Sequence, residues 1–342
     1  MTLSLQQLLR CSVAVDLGSA RTRVYIKGRG LVVDEPSVAA VNVRTGALIA
    51  VGAAASQMDG RTPGYIRVVR PISGGTVVDI DMAQRMLRAL LGEKLRRAWR
   101  RRPTLRAAVC TPYGSEPLAQ RAAVETLMGL GARRVELVDT TIAAGVGCGL
   151  PVEQPEATMI VVCGAGTTQV GVLSLGSIVA AETIGVGGNA IDHAVLQHLR
   201  LQHELMLPSQ GVRPLHLVLS NTDPEAGISE VHGRDVVSGL PRMVHVDPER
   251  VRQAIGTPLT AILDGIGVVL RRSSPDLVAD LVERGIMLAG GSAMMPGLEA
   301  MIRQATGMPV HTADRPDLCA VRGLGAMLEG KVAPLRLDPL FT

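Results

Sequence analysis

Met159-Ile-Val-Val-Cys-Gly-Ala-Gly-Thr-Thr-Gln-Val-Gly-Val-Leu-Ser174 is the stretch of sequence that decides the fold. It predicts an apolar strand over residues 159–162, a small-residue turn over 164–168 and an alternating strand over 169–174. Backbone N–H groups in such a turn point into one concavity that suits an anion such as phosphate, and glycine lets the backbone approach a ligand closely. Taken alone, the pattern is more typical of a plain Gly-rich hairpin.

A second copy of this pattern lies near the N-terminus. Residues 12–26 read Ser-Val-Ala-Val-Asp-Leu-Gly-Ser-Ala-Arg-Thr-Arg-Val-Tyr-Ile, with a small-residue turn at Gly18, Ser19 and Ala20. A further Gly-marked turn follows each copy, at residues 27–30 and 175–177. A unit that recurs after about half a chain length indicates an internal duplication. Two such hairpins facing each other across a cleft would hold the phosphates of a nucleotide from both sides.

A third Gly motif follows in the second half of the chain. Residues 285–294, Gly-Ile-Met-Leu-Ala-Gly-Gly-Ser-Ala-Met, predict a strand, a Gly-Gly turn and the start of a helix. The N–H groups at the start of a helix form a seat for an anion or a ribose phosphate.

The composition excludes several function classes. The chain has 342 residues, of which 47% are hydrophobic, and a net charge of +4. That charge is too small to indicate nucleic-acid binding, and no basic block is interleaved with aromatic residues. Five scattered cysteines without a Cys-x-x-Cys pair favour buried reduced thiols in a cytosolic protein over zinc or disulfides. We recognise no signal peptide, and no run of about 20 uncharged apolar residues predicts a membrane span.

Two domains of ordinary size are expected at this length. We place the first at residues 1–145 and the second at 146–330, with an inserted subdomain near 190–250 and a tail at 331–342. The main helices are predicted near residues 82–99, 115–130, 141–147, 248–272, 275–284 and 320–330.

Motifs along nearly the whole chain resemble the bacterial actin homologues of the MreB/Mbl rod-shape family. The longest are residues 15–22, Val-Asp-Leu-Gly-Ser-Ala-Arg-Thr, and residues 72–79, Ile-Ser-Gly-Gly-Thr-Val-Val-Asp. The others lie at residues 27–30, 34–38, 60–64, 149–151, 239–242, 275–280 and 283–286. From these motifs the chain is identified as a divergent member of that family, within the superfamily of actin, the sugar kinases and the heat-shock chaperones.

The resemblance implies an actin-like ATPase fold, in which two duplicated RNase H-like α/β domains enclose a nucleotide cleft. It implies ATP with Mg²⁺ as cofactor, and subunits of the same chain or of a paralogue as partners in filaments. It also implies a cytoplasmic position at the inner face of the cell membrane, a role in cell shape and membrane proteins of cell-wall elongation as partners. The alternative is an active ATP-dependent enzyme of the same superfamily, a sugar kinase or a chaperone-type ATPase.

The resemblance also assigns site residues. Asp16 is expected to organise the phosphates and to hold the metal through water, and the three Gly motifs are expected to contact the nucleotide. The expected nucleotide-binding residues are Gly18, Ser19, Ala20, Arg21, Gly164, Ala165, Gly166, Thr167, Gly290, Gly291, Ser292 and Ala293.

The sequence departs from the family at positions that the resemblance assigns to metal binding, hydrolysis and adenosine contact. We place Cys163 where the family has the Asp of its second hairpin, and a thiol is a poor ligand for Mg²⁺. Thr140 stands where the family has the Glu that positions the attacking water, and a hydroxyl is a much weaker base. Residues 208–214, with two prolines and a glycine, replace the family's adenosine-contacting helix. We expect weakened ATP binding with impaired hydrolysis, or a nucleotide-free structural role.

Arg21 replaces an Asn of the family in the first hairpin, and two roles stay open for it. Its guanidinium could give positive charge to a phosphate in place of the metal, or it could be a surface residue that points away.

A basic segment predicts contact with a membrane. Residues 95–103, Leu-Arg-Arg-Ala-Trp-Arg-Arg-Arg-Pro, place the only tryptophan of the chain among five arginines. Tryptophan prefers the lipid–water interface, and arginines favour an anionic surface. The expected contact residues are Trp99, Arg97, Arg100 and Arg101. A solvated basic end of a helix is the alternative.

Overall fold

A computed structural model describes residues 5–100, 105–208 and 229–332, with side-chain surroundings for all of these except residues 5–6, 93–100 and 229. The strands are β1 (Val13–Leu17), β2 (Arg21–Ile26), β3 (Gly30–Pro36), β4 (Ala39–Asn42), β5 (Leu48–Val51), β6 (Ile66–Val69), β7 (Ile72–Ser73), β8 (Thr76–Val77), β9 (Arg106–Thr111), β10 (Arg134–Asp139), β11 (Thr158–Cys163), β12 (Thr168–Ser174), β13 (Ser177–Ile184), β14 (Leu205–Met206), β15 (Ser229–Asp235), β16 (Pro241–Val246), β17 (Ile286–Ala289) and β18 (Val310–Thr312).

The helices are α1 (Leu5–Leu8), α2 (Gly52–Met58), α3 (Ile80–Arg100), α4 (Pro117–Gly129), α5 (Thr140–Gly147), α6 (Gly188–His203), α7 (Pro248–Arg272), α8 (Pro275–Arg284), α9 (Leu298–Thr306) and α10 (Cys319–Glu329). Two short 3₁₀ helices cover Gly291–Met294 and Pro316–Leu318.

The first large sheet has the strand order β3-β2-β1-β9-β10. The first three of its strands in the chain form an antiparallel meander, and β9 and β10 extend it in parallel. Side chains alternate between the two faces of a strand. Val13, Val15 and Leu17 therefore pack against α3 and α4 in one core, while Ala14 and Asp16 point to the opposite face.

The second large sheet repeats this arrangement with the order β13-β12-β11-β17-β18. Its first three strands are again an antiparallel meander, extended by two parallel strands. Met159, Val161 and Cys163 pack into a core with α6, α7, α8 and α9, while Ile160 and Val162 face the other way. The repeated strand order is the structural form of the duplication that the two hairpin sequences predict.

Helices α5 and α10 lie between the two sheets. Ala143 of α5 packs with Ala14 of the first sheet, and Ala144 of α5 packs with Ile160 of the second. From α10, Leu324 joins the first of these clusters and Cys319 joins the second. The result is a layered α/β molecule in which one pair of helices connects both lobes.

Helix α7 is long and apolar enough, by length and composition alone, to cross a membrane. Its buried residues recur at helical spacing and pack into the core of the second sheet. They are Val251, Ile255, Leu259, Ile262, Gly265, Ile266 and Val269. This stripe makes one face of α7 part of the core of the second lobe.

Two smaller three-stranded sheets flank the large ones, with orders β5-β4-β6 and β14-β15-β16. The predicted boundaries at residues 145 and 330 stay predictions. One local expectation is wrong: the Gly-Gly turn of the third motif is followed by a single 3₁₀ turn, Gly291–Met294, and α9 begins only at Leu298. Residues 209–214 of the predicted helix replacement lie outside the described residues.

Candidate functional site

A cavity of about 200 Å³ lies between the two lobes, and all three Gly motifs line it. The predicted site residues in its lining are Asp16, Gly18, Ser19, Ala20, Arg21, Thr140, Gly164, Ala165, Gly166, Thr167, Gly290, Gly291 and Ser292. The cavity has room for the phosphate end of a nucleotide.

The two hairpin turns have the same geometry. The N–H of Gly18 donates to the carbonyl of Arg21 at 3.1 Å, and the N–H of Gly164 donates to the carbonyl of Thr167 at 2.9 Å. A Cβ on either glycine would stand 2.8 Å from that carbonyl oxygen, so both turns require glycine at this position. Gly18 and Gly164 are therefore equivalent positions of the duplicated unit.

Backbone N–H groups of both turns remain available to a ligand. Within the part of the chain that the structure describes, no hydrogen bond takes up the N–H groups of Ser19, Ala20, Ala165 and Gly166. Buried or half-buried N–H groups require a partner, and an anion in the cleft would supply one. This is the chemistry that phosphate groups need.

The tip of the second hairpin packs against the first. A Cβ on Gly166 would stand 3.0 Å from the Cα of Gly74 and 3.0 Å from the hydroxyl oxygen of Ser19. The same Ser19 hydroxyl accepts a hydrogen bond from the N–H of Gly75 at 2.8 Å. The Gly74–Gly75 turn thus joins the two hairpins, a contact that the sequence motifs did not predict.

The start of α6 holds the second hairpin from behind. The N–H of Gly188 donates to the carbonyl of Gly164 at 3.0 Å, and the N–H of Asn189 donates to the carbonyl of Ala165 at 2.8 Å. The Ser292 hydroxyl donates to the same Gly164 carbonyl at 3.0 Å. With its carbonyls fixed on this side, the turn presents its N–H groups to the cleft.

A row of charges crosses the floor of the cleft on the first sheet. Asp16 on β1 is the register partner of Arg23 on β2, and Arg23 is the register partner of Asp34 on β3. The Arg23 guanidinium lies 3.9 Å from the Asp16 carboxylate, 3.1 Å from that of Asp34 and 2.9 Å from that of Asp317. Burial raises the pKa of Asp16, and Arg23 opposes that shift. Arg23 is itself only 7% exposed.

The hairpin geometry corrects the role given to Cys163. Because Gly18 and Gly164 are equivalent, Asp16 corresponds to Val162, and Cys163 corresponds to Leu17. Val162 lines the cleft, whereas Cys163 is 1% exposed and packs into the core of the second lobe. Burial raises the pKa of this thiol to about 12. The carboxylate expected on the second hairpin is therefore replaced by an apolar valine, and Cys163 does not face the cleft.

Thr140 does line the cleft, at the first position of α5. Its hydroxyl donates to the backbone carbonyl of Thr111 at 3.0 Å, so its proton is engaged in the fold. The preceding Asp139 caps the helix and accepts from the N–H of Thr141 at 2.8 Å. Burial raises the pKa of Asp139, and its hydrogen bonds from Thr141 counter that shift.

Arg21 lines the cleft with its guanidinium tied to one neighbour. Its Nε donates to the Asp34 carboxylate at 2.6 Å, and its Nη2 donates to the Asp34 carbonyl at 2.6 Å. This geometry is an ion pair across β2 and β3 at the rim of the cleft, which neither of the two open roles describes.

Sequence reasoning missed Arg23 and Asp317, which line the same cavity. The predicted Ala293 is absent from that lining and is buried in the second lobe. Of the predicted membrane residues, Trp99, Arg97 and Arg100 lie in α3 with undescribed side chains. Arg101 lies outside the described residues.

The family model described as MreB/Mbl protein matches residues 10–335. The cell shape-determining protein MreB of Escherichia coli (strain K12) is 35% identical over 323 residues, which cover 93% of this chain and 93% of that protein. The cell shape-determining protein Mbl of Bacillus subtilis (strain 168) is 32% identical over 319 residues, covering 93% and 95%.

Among solved structures, MreB 5 of Spiroplasma citri bound to AMPPNP matches with a TM-score of 0.85 and 28% identity, covering 91% of this chain and 93% of that chain. The same protein bound to ADP matches with a TM-score of 0.85 and 27% identity, covering 91% and 94%. These matches confirm the predicted actin-like fold. By the family model and by its relatives, this chain belongs to the MreB/Mbl protein family.

Proposed function

We propose that this chain is a cell shape-determining protein of the actin-like cytoskeleton and that its cleft binds ATP. The cellular role is supported by the relatives in Escherichia coli and Bacillus subtilis. The ligand is supported by the AMPPNP and ADP complexes of the Spiroplasma citri relative. The observation that carries the proposal is the pair of equivalent turns, Gly18–Arg21 and Gly164–Thr167, with unused N–H groups on both sides of one cavity.

The proposed contacts are made by the backbone. The N–H groups of Ser19 and Ala20 would bind the phosphate chain from the first lobe, and those of Ala165 and Gly166 would bind it from the second. Backbone donors survive a change of side chain, so this cradle persists although Val162 and Thr140 replace carboxylates. Held from both lobes, the nucleotide would bring the lobes together.

Calorimetry of ATP with the full chain tests the binding. Gly164→Asp places a side chain 2.8 Å from the Thr167 carbonyl and adds a negative charge to the cradle, so the heat of binding should disappear. Gly64→Asp is the matched control, since a Cβ there meets no atom within 4 Å. Absence of binding to the parent chain, or equal binding to the parent and Gly164→Asp, would refute the proposal.

We further propose that hydrolysis is slow. Two positions support this part: Thr140, whose hydroxyl is already donated to Thr111, and Val162, which has no oxygen to offer at the place equivalent to Asp16. A general base contributes about 10²–10⁴-fold to a rate, and a neutral hydroxyl supplies little of it. Robust steady-state phosphate release would instead support the alternative function, an active enzyme of the sugar-kinase or chaperone type.

Self-association is the third part of the proposal. A head-to-tail contact between identical subunits uses two different surfaces and leaves each end open, which gives filaments. Sedimentation of the purified chain, alone and mixed with a paralogue from the same cell, tests whether filaments form. If neither sample pelleted with ATP or ADP, the cytoskeletal role would be refuted.

Membrane contact at the inner face of the cell membrane is the last part, with cell-wall elongation proteins as the partners that it would organise. Its support is the sequence of residues 95–103, with Trp99 among arginines. Flotation with anionic and with neutral vesicles should recover the chain only with the anionic ones. Trp99→Ser combined with Arg100→Ser should abolish recovery, and unchanged flotation of this variant would contradict the assignment.

A further inference from the structure

We propose that Arg23 is a built-in cation of the cleft and that ATP therefore binds this chain without requiring a divalent metal ion. The inference rests on the proposed binding of ATP and concerns the metal ion that would accompany the nucleotide. It follows from the position of one guanidinium, from its fixation and from the donor set that surrounds it.

The Arg23 guanidinium lies beside Asp16, the carboxylate to which the family resemblance assigns the metal. Asp16 is the register partner of Arg23, and Nη1 of Arg23 lies 3.9 Å from its Oδ2. A Mg²⁺ ion held by that oxygen through one water would sit about 4 Å from it, and so within about 8 Å of Nη1. The two positive charges would repel each other, since a partly buried pair is screened little by salt.

The guanidinium is fixed from three sides. Asp16 and Asp34 lie on the strands that flank β2, and Nη2 donates to Asp317 at 2.9 Å from the far end of the chain. The Nε atom has no hydrogen-bond partner, although the Asp34 carboxylate is 3.1 Å away. With 7% of its surface exposed, Arg23 cannot swing out to make way for an ion without breaking its ion pairs with Asp16, Asp34 and Asp317.

The remaining donors do not fit Mg²⁺. This hard cation takes oxygen ligands, usually one or two carboxylates together with substrate phosphates. The second hairpin offers Val162 at the position equivalent to Asp16, and the oxygen of Gln169 accepts from the N–H of Tyr113 at 3.2 Å. Nowhere in the described ranges do three or more His, Cys, Asp or Glu side chains gather in a group that could hold a metal.

The charge of the lining agrees with this assignment. Two aspartates, Asp16 and Asp317, and two arginines, Arg21 and Arg23, are the charged residues of the described lining, which is therefore neutral overall. Arg23 neutralises the carboxylates that would otherwise repel the phosphates of metal-free ATP. Without Arg23, the lining would be negative, and a divalent cation would be needed to bring the phosphates in.

The test is the ratio of two dissociation constants for ATP, one measured by calorimetry in excess EDTA and the other in excess Mg²⁺. For the parent chain the two should differ by less than about threefold, which means little coupling between metal and nucleotide. For Arg23→Met, binding in Mg²⁺ should become at least about tenfold tighter than binding in EDTA. Arg121→Met is the matched control: it removes an exposed arginine that pairs with Glu125 outside the cleft, so it should leave the ratio near one.

Each outcome decides between the proposals. A parent chain that binds ATP at least about tenfold tighter in Mg²⁺ overturns the role of Arg23 and leaves nucleotide binding intact. A parent chain that binds in neither buffer overturns ATP binding and this inference together. A folded Arg23→Met variant that keeps the ratio of the parent also overturns the inference. If that variant does not fold, the ratio of the parent chain alone decides.

Discussion

Gly147 at the end of α5 lies directly against Cys319 at the start of α10, so close that a Cβ on Gly147 would stand 1.8 Å from the Cys319 carbonyl oxygen. The contact is reciprocal along the two helices, because a Cβ on Gly323 would stand 1.7 Å from the Ala143 carbonyl oxygen. These two helices connect the lobes on either side of the cleft. The close packing of α5 on α10 therefore depends on two glycines that are distant from the hairpins.

Gly147→Ala should destabilise the chain strongly. The added methyl meets backbone atoms that cannot rotate away, and overpacking of this kind costs about 1–3 kcal/mol or more. Urea denaturation measures the loss. The matched control is Gly256→Ala in α7, where a Cβ meets no atom within 4 Å and the higher helix propensity of alanine should stabilise by up to about 1 kcal/mol. Equal stabilities of the two variants would contradict the close packing of α5 on α10.

Ser19→Ala should loosen the junction between the hairpins. The change removes the acceptor of the Gly75 N–H, and an unpaired half-buried donor costs about 1–3 kcal/mol. Amide hydrogen exchange of the parent and the variant would show faster exchange at Gly75. Ser19→Thr keeps the hydroxyl and should keep the protection. Protection at Gly75 that persists in Ser19→Ala would show that another group holds this loop.

Asp139→Asn should stabilise the folded chain near neutral pH. Burial raises the pKa of Asp139 in the folded state above the ordinary 3.8, so the folded chain holds the proton to a higher pH than the unfolded chain. The carboxyl group therefore lowers the free energy of unfolding as pH rises from 3.8 through its raised value. Asparagine caps a helix as well as aspartate and carries no charge.

Denaturation midpoints of the two chains over a pH series check this sign. The advantage of the asparagine variant should be full at neutral pH and should vanish as pH falls below 3.8. A variant that is less stable than the parent at neutral pH would mean that the charge at the start of α5 outweighs the burial.

Thr140→Glu combined with Val162→Asp should raise the rate of phosphate release from Mg·ATP by at least about tenfold, because both side chains face the cleft and carboxylates are the stronger bases. The matched control is Thr140→Glu with Cys163→Asp. That second aspartate would be buried in the apolar core, so we expect lost stability and no gain in rate. A faster control than the main variant would refute the equivalence of Asp16 and Val162.

The hairpins show which structural features a local sequence pattern can predict. The alternation and the small-residue turns of residues 12–26 and 159–174 predicted both strand pairs, and their repetition predicted the duplication that the matching strand orders display. The same pattern did not decide which residue before the second turn faces the cleft. Cys163 and Val162 are neighbours on one strand, and one step along a strand exchanges the two faces.

The position of Arg23 beside Asp16 can be predicted from the sequence. With the turn fixed at Gly18, the antiparallel register places Arg23 opposite Asp16. Its third partner, Asp317, could not be predicted from the sequence. Asp317 follows Arg23 by 294 positions, and no local pattern indicates that a 3₁₀ turn after the last strand returns to the first sheet.

The sequence by itself determined the family, the two α/β units, the three Gly turns and the absence of a carboxylate at residues 140 and 163, because strand alternation and turn chemistry are local properties of the chain. Only the tertiary structure decided that Val162 and not Cys163 lines the cleft, that Ser19 meets Gly75, that Gly147 and Gly323 set the approach of α5 to α10 and that Arg23 stands among three carboxylates. These are contacts between residues distant in the chain, and they depend on the packing of whole elements against each other, for which a local sequence pattern carries no information.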